Sequence, residues 1–165
     1  MTLEVGSSFV ANLYYTSAEG ERPIDYEYPS RMAGAWLELR ETSGRSQLRP
    51  LLAFHFKYKR SGEGRHFYEI RIDKSSGFDE PVLRTSINGY LGMYHSLMMP
   101  GLAPEWKIQV LEEHAGNDFS FWLRNFDGQR VARHAEEIGG TLKEYLNVEK
   151  GEEIIIFRAR NVRYR

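Results

Sequence analysis

Residues 51–73, LLAFHFKYKRSGEGRHFYEIRID, constrain the fold of this chain more than any other segment. In the first half Leu52, Phe54, Phe56 and Tyr58 fall on one side, and His55, Lys57 and Lys59 on the other. A period of two is the mark of a strand with one face buried. Ser61-Gly62-Glu63-Gly64 supplies a turn, because glycine tolerates the positive φ of tight connections. In the second half Arg65, Phe67, Glu69, Arg71 and Asp73 alternate with His66, Tyr68, Ile70 and Ile72. The segment therefore predicts a β-hairpin with an apolar inner face and a charged outer one. Two readings fit that outer face: a solvated sheet edge, or an arm that enters the major groove of DNA.

The rest of the chain bounds the choice. Its 165 residues predict one domain with a core of its own, and 41% hydrophobic with 27% charged residues is usual for a globular protein. The formal net charge is −1, so a nucleic-acid binder of this composition has to gather its cations in one place. With no cysteine, disulfides and cysteine-ligated zinc are excluded, which suits a reducing cytoplasm. The first residues, MTLEVGSSFVANL, lack the basic start and apolar run of a signal peptide. No apolar stretch approaches the ~20 residues of a membrane helix. The basic end, NVRYR, carries no cap signal, which is compatible with one domain of a longer protein.

Strands are expected at 8–15, 24–29, 35–41, 106–112, 119–125 and 154–157, with polar loops at 16–23, 42–50 and 74–80. Residues 81–100 suit a short helix or a buried strand equally. Asp127-Gly128 marks a turn. Thr141 with Glu144 matches a capping box, so a helix is expected over 141–147. Seven or more strands with one or two short helices point to a barrel or sandwich.

The hairpin's outer face has the chemistry of base reading: Arg or Lys donates to guanine, and Glu accepts from cytosine. Lys57 and Lys59 suit phosphates, as do Arg40, Arg45 and Arg49 around the TSGRSQLRP loop. A surface ion pair between Glu69 and a neighbouring Arg explains the same residues without DNA. Asp79 with Glu105-Trp106-Lys107 echoes the two acids and a lysine of Mg²⁺-dependent nucleases, in a pattern short enough to arise by chance. The five histidines show no ligand spacing, and no nucleophile elbow or phosphate loop is present. No metal site and no catalysis by this chain alone are expected.

Three segments together resemble the B3-type DNA-binding pseudobarrel, in particular the version in EcoRII-type restriction endonucleases. RHFYEIRI resembles that family's recognition arm, with Glu69, Arg71 and Ile72 on its Glu-x-Arg-Ile core and Arg65 at a basic position. ERPIDYEYPS is similar to the segment carrying the second arm, which assigns Glu21 and Arg22 to it. GTLKEYLNVEKGEEIIIF resembles the helix, turn and apolar strand near the end of plant B3 domains. Phe67 departs from the pattern, since the arm carries a polar or basic residue there. The segment after Pro29 is also short of the expected helix.

The resemblance implies a mainly β fold, a seven- to eight-stranded open pseudobarrel with one or two short helices. It further implies a cytoplasmic, monomeric effector domain that reads a short duplex site of the CCWGG kind through two arms in one major groove. The implied base-reading residues are Arg65, His66, Phe67, Glu69, Arg71, Glu21 and Arg22. Those against the backbone are Lys57, Lys59, Arg60, Arg40, Arg45, Arg49 and Lys74. No cofactor is implied for this domain, and Mg²⁺ enters only with an attached C-terminal catalytic domain. The alternative is a β-barrel module that binds a protein or small ligand.

Overall fold

The structure, a computed structural model, describes residues 6–26, 34–40, 50–73, 81–95 and 102–165. Thirteen strands form within them: β1 (Phe9–Ser17), β2 (Gly20–Tyr26), β3 (Gly34–Leu39), β4 (Phe54–Gly62), β5 (Arg65–Ile72), β6 (Val82–Thr85), β7 (Leu91–Tyr94), β8 (Trp106–Glu113), β9 (Phe119–Arg124), β10 (Ala132–Ile138), β11 (Thr141–Asn147), β12 (Glu153–Ile154) and β13 (Phe157–Tyr164).

Antiparallel pairing runs from β1 through β2, β3, β7, β6, β5, β8, β9 and β13 and returns to β1, a closed barrel of nine strands. Strand β4 pairs with β1 on one edge and β5 on the other, while β10, β11 and β12 form a small sheet joined to β3. The branching is possible because β1 and β5 each have two neighbours on one edge. Residues 9–11 of β1 face β4 and residues 14–17 face β2. Residues 66–68 of β5 face β8, and Arg71 faces β6.

This corrects the expected open pseudobarrel. The ring is closed, has nine strands, and no helix occurs among the described residues. The capping-box expectation fails for a visible reason. Gly139 and Gly140 both take positive φ (59° and 80°), which makes a tight hairpin turn, and 141–147 pairs back onto β10 as strand β11. Glu144 does not close a helical turn but accepts bonds from Arg22 and Arg133, at 2.8 and 2.6 Å. The expected loop over 16–23 is likewise mostly strand, since β1 runs to Ser17 and β2 begins at Gly20.

The core is aromatic. Phe9 stacks on Phe56 with ring centroids 4.6 Å apart, and Phe121 stacks on Phe157 at 5.3 Å. Such offset pairs add to the burial term itself. Trp106 is buried and donates its indole N–H to the Leu83 carbonyl at 3.1 Å, so its polar atom is satisfied. No helix among the described residues is long and apolar enough to cross a membrane.

Candidate nucleic-acid interface

The predicted hairpin forms as β4 and β5, with Glu63 and Gly64 at φ 54° and 73° in its turn. It is not a projecting arm. Both edges of β5 are paired, to β4 and to β8 and β6, so its outer face is one stripe of a continuous barrel wall. A bulge between Tyr58 and Arg60 lets Lys59 and Arg60 both reach over that wall.

The covering side chains change the roles assigned to the central residues. Phe67 is 3% exposed, with the Arg60 guanidinium 4.0 Å from its ring centroid and the Lys107 ammonium at 5.4 Å. Glu69 is 5% exposed; Arg71 donates to it at 2.9 Å and Lys59 lies 3.9 Å away. Burial acts to raise the Glu69 pKa, but the Arg71 bond and charge, then the charges of Lys59 and Lys57, outweigh it and hold the carboxyl below its usual range. One of its oxygens already accepts from Arg71 inside the protein. Phe67 and Glu69 thus both lie beneath cations and present little surface to a base. Arg71 is committed to Glu69, and the His66 Nδ1 lies 3.0 Å from the Ser61 hydroxyl.

Of the segment expected to carry the second arm, residues 21–26 are described. Strand β2 lies inside the sheet between β1 and β3. Glu21 accepts from Arg160 at 2.7 Å and lies 3.6 Å from Arg158, while Arg22 bonds Glu144. Neither meets the β4–β5 hairpin in any of these contacts. Arg40 is 4% exposed and bonded to Asp25 at 3.3 Å and to the Pro50 carbonyl at 3.1 Å, so it is a core cation out of reach of a phosphate. Arg45, Arg49 and Lys74 lie outside the described residues, as does Asp79. Glu105 pairs with Arg60 at 3.1 Å rather than with a second carboxylate. Among the described residues no group of three His, Asp or Glu side chains is placed to hold a metal.

A different set of cations comes together. Strand pairing sets Phe67 opposite Lys107 and Lys107 opposite Arg124, and Gln109 opposite Trp122, so these side chains share the outer face of β5, β8 and β9. Arg130 lies 4.8 Å from the Trp122 ring centroid, and Arg124 lies 6.0 Å from it. Arg124 is held by neutral acceptors, Gln109 Oε1 at 3.0 Å and the Gly128 carbonyl at 2.9 Å. Burial, then the like charges of Arg65 and Arg130, lower the Arg124 pKa. Neutral hydrogen bonds leave its charge uncancelled, and two more guanidiniums are near enough to be felt. No carboxylate pairs with Arg65, Lys107, Arg124 or Arg130 among the described residues.

Sequence pattern alone hides this cluster. WLRNFDGQR reads as a strand and a turn, and only the pairing of β8 with β9 and β5 brings Trp122, Arg124 and Arg130 beside Arg65 and Lys107. Comparison of the chain with protein-family models, curated proteins and solved structures found no match.

Elsewhere, Tyr15, Ser17, Ala18, Glu19, Arg22, Arg133, Glu144 and Glu153 line a cavity of about 350 Å³. Its two arginines converge on Glu144, and the Tyr15 hydroxyl donates to Glu153 at 3.1 Å. Burial, then the bond to Glu153, raises the Tyr15 pKa. The charged groups there largely satisfy one another.

Proposed function

We propose that this chain is a nucleic-acid-binding barrel that holds DNA phosphates on the outer face of β5, β8 and β9. The observation that carries the proposal is the meeting of Arg65, Lys107, Arg124 and Arg130 on one wall with no carboxylate partner among the described residues, in a chain of net charge −1. An acidic protein that gathers unneutralised cations over aromatic rings has the charge segregation a polyanion requires. Lys57, Lys59 and Arg60, at the border of the wall, extend the track. The Arg130 guanidinium lies over the Trp122 ring, and a guanidinium on an aromatic face can still offer N–H donors to a phosphate fork.

The proposed binding is positional. Glu69 and Phe67 are covered, so base discrimination through them is not part of it. A monomeric, cytoplasmic protein acting without a metal is the setting we propose. The test is a mobility-shift or anisotropy titration with a labelled duplex and a labelled single strand at rising salt. Each phosphate neutralised on duplex DNA contributes about −0.9 to the slope of log K against log salt, so three or four contacts give a slope of roughly −3 to −4. No binding of either at low salt would overturn the proposal.

One observation favours a second reading, a protein-binding module. Ile138 and Leu142 are exposed near the tip of the β10–β11 hairpin, where only the two strands pair with each other. A chain that binds no nucleic acid but captures a protein through this tip would support it.

A further inference from the structure

The turn after β9 presents an aromatic ring to water beside the cation cluster. Phe126 is 58% exposed, and the Lys107 ammonium lies 5.6 Å from its ring centroid. The turn is rigid. Asn125 and Gln129 are joined by a backbone bond of 3.0 Å, by the Asn125 side-chain amide to Gln129 Oε1 at 2.8 Å, and by the Gln129 N–H to Asn125 Oδ1 at 2.9 Å. The Gly128 N–H bonds the Asn125 carbonyl at 3.0 Å, and Arg124 clamps the Gly128 carbonyl from below. The ring is thus held out by a preorganised loop, not left over by a loose one.

The other two aromatic rings of this wall are already capped, Phe67 by Arg60 and Trp122 by Arg130. Among the described residues the cation over Phe126 is Lys107, which lies 5.6 Å from the Phe126 ring centroid and 5.4 Å from that of Phe67. An apolar π-face beside a cation matches a nucleotide, whose base stacks on a ring while its phosphate meets an ammonium or guanidinium. Bases in a duplex have both faces covered by their neighbours, whereas an unpaired base has a face to give. The nearby acids, Asp127 in the turn and Glu105 beneath Arg60, disfavour an anionic partner that lacks a base to stack.

We infer that Phe126 is a stacking platform for an unpaired base, and that Lys107 and Arg130 hold the flanking phosphates of a single-stranded segment. The inference rests on the phosphate-binding reading and adds a preference for single strands to it. The experiment compares the full chain with Phe126→Ala, Phe126→Trp and Lys107→Gln, using a labelled single strand and the corresponding duplex, each across a salt series. Phe126→Ala should weaken single-strand binding about fivefold or more, leaving the duplex affinity and the salt slope unchanged. Phe126→Trp should restore or exceed the wild-type affinity. Lys107→Gln should weaken both ligands and lower the salt slope. Unchanged single-strand affinity in Phe126→Ala, with Lys107→Gln still impaired, would overturn the platform and leave the phosphate reading standing. Absence of binding to either ligand by the wild-type chain would overturn both. Deoxyribose and ribose versions of the strand distinguish the two sources of unpaired bases.

Discussion

The guanidinium of Arg60 lies 4.0 Å from the ring centroid of Phe67 and seals an aromatic side chain that strand alternation alone points toward water. The contact explains how an outward position on β5 can hold an almost fully buried ring. Phe67→Ala should behave as a core truncation and cost about 3–5 kcal/mol. Arg60→Ala should cost about 0.5–1 kcal/mol, the range for a solvent-exposed cation–π pair. Urea unfolding midpoints measure both. A base-reading Phe67 would instead give a variant of normal stability with weakened DNA affinity.

The ion pair of Arg40 with Asp25 makes a contrasting case. Arg40 sits in a loop-flanking stretch rich in arginine that suggests phosphate contact, yet both partners are buried. Removing one partner strands the other charge, so Arg40→Ala should destabilise by about 3–5 kcal/mol. The salt slope of nucleic-acid binding, measured where the variant is still folded, should not move.

Tyr68 is wholly buried, and its hydroxyl finds no hydrogen-bond partner among the described residues. Burial, with smaller contributions from Tyr58 and Tyr164, pushes its pKa up to about 12. Tyr68→Phe should therefore leave stability unchanged or raise it by about 1 kcal/mol, because it removes an unsatisfied polar group without opening a cavity. Ultraviolet titration should show one fewer late-ionising tyrosine in the variant than in the parent.

Two glutamates set the acid limit of stability. Burial acts to raise the Glu69 and Glu144 pKa values, but their arginine partners outweigh it and hold both below the ordinary value of 4.5. Between the lowered folded values and 4.5 the unfolded chain binds more protons, so stability rises with pH there. The contribution is complete above that window and is lost as pH falls through the folded values. Unfolding midpoints should drop below about pH 4.5, and Glu144→Gln should flatten that drop while lowering stability at neutral pH.

What could be read from the sequence was set by how local each signal is. The β4–β5 hairpin, β8, β9 and the Asp127-Gly128 turn follow from alternation and turn residues, which act within a few positions. The strand expected at 154–157 overlaps β12 at Ile154 and β13 at Phe157 alone; the rest of β13 is hidden because Asn161 takes a left-handed φ of 55° and the bulge there breaks the period of two. Strand β11 was misread since Thr141 and Glu144 carry a real capping pattern that pairing with β10 and two arginines overrides. The closed ring depends on β6 and β7, four residues each, too short to show a period. The cation wall was illegible for the same reason as the ring. Arg65 and Lys107 are far in sequence from each other and from the Arg124–Arg130 segment, and a cross-strand register has no local signature.

The most direct test of the central claim is the salt dependence of nucleic-acid affinity for Arg65→Gln/Lys107→Gln/Arg130→Gln beside the wild-type chain. These three cations carry little of the core, so the variant should unfold at nearly the parent midpoint. The account predicts a shallower slope of log K against log salt, by about 0.7 to 0.9 for each cation that meets a phosphate, with much weaker binding at low salt. A variant that keeps the parent's affinity and slope would show that this wall does not bind nucleic acid.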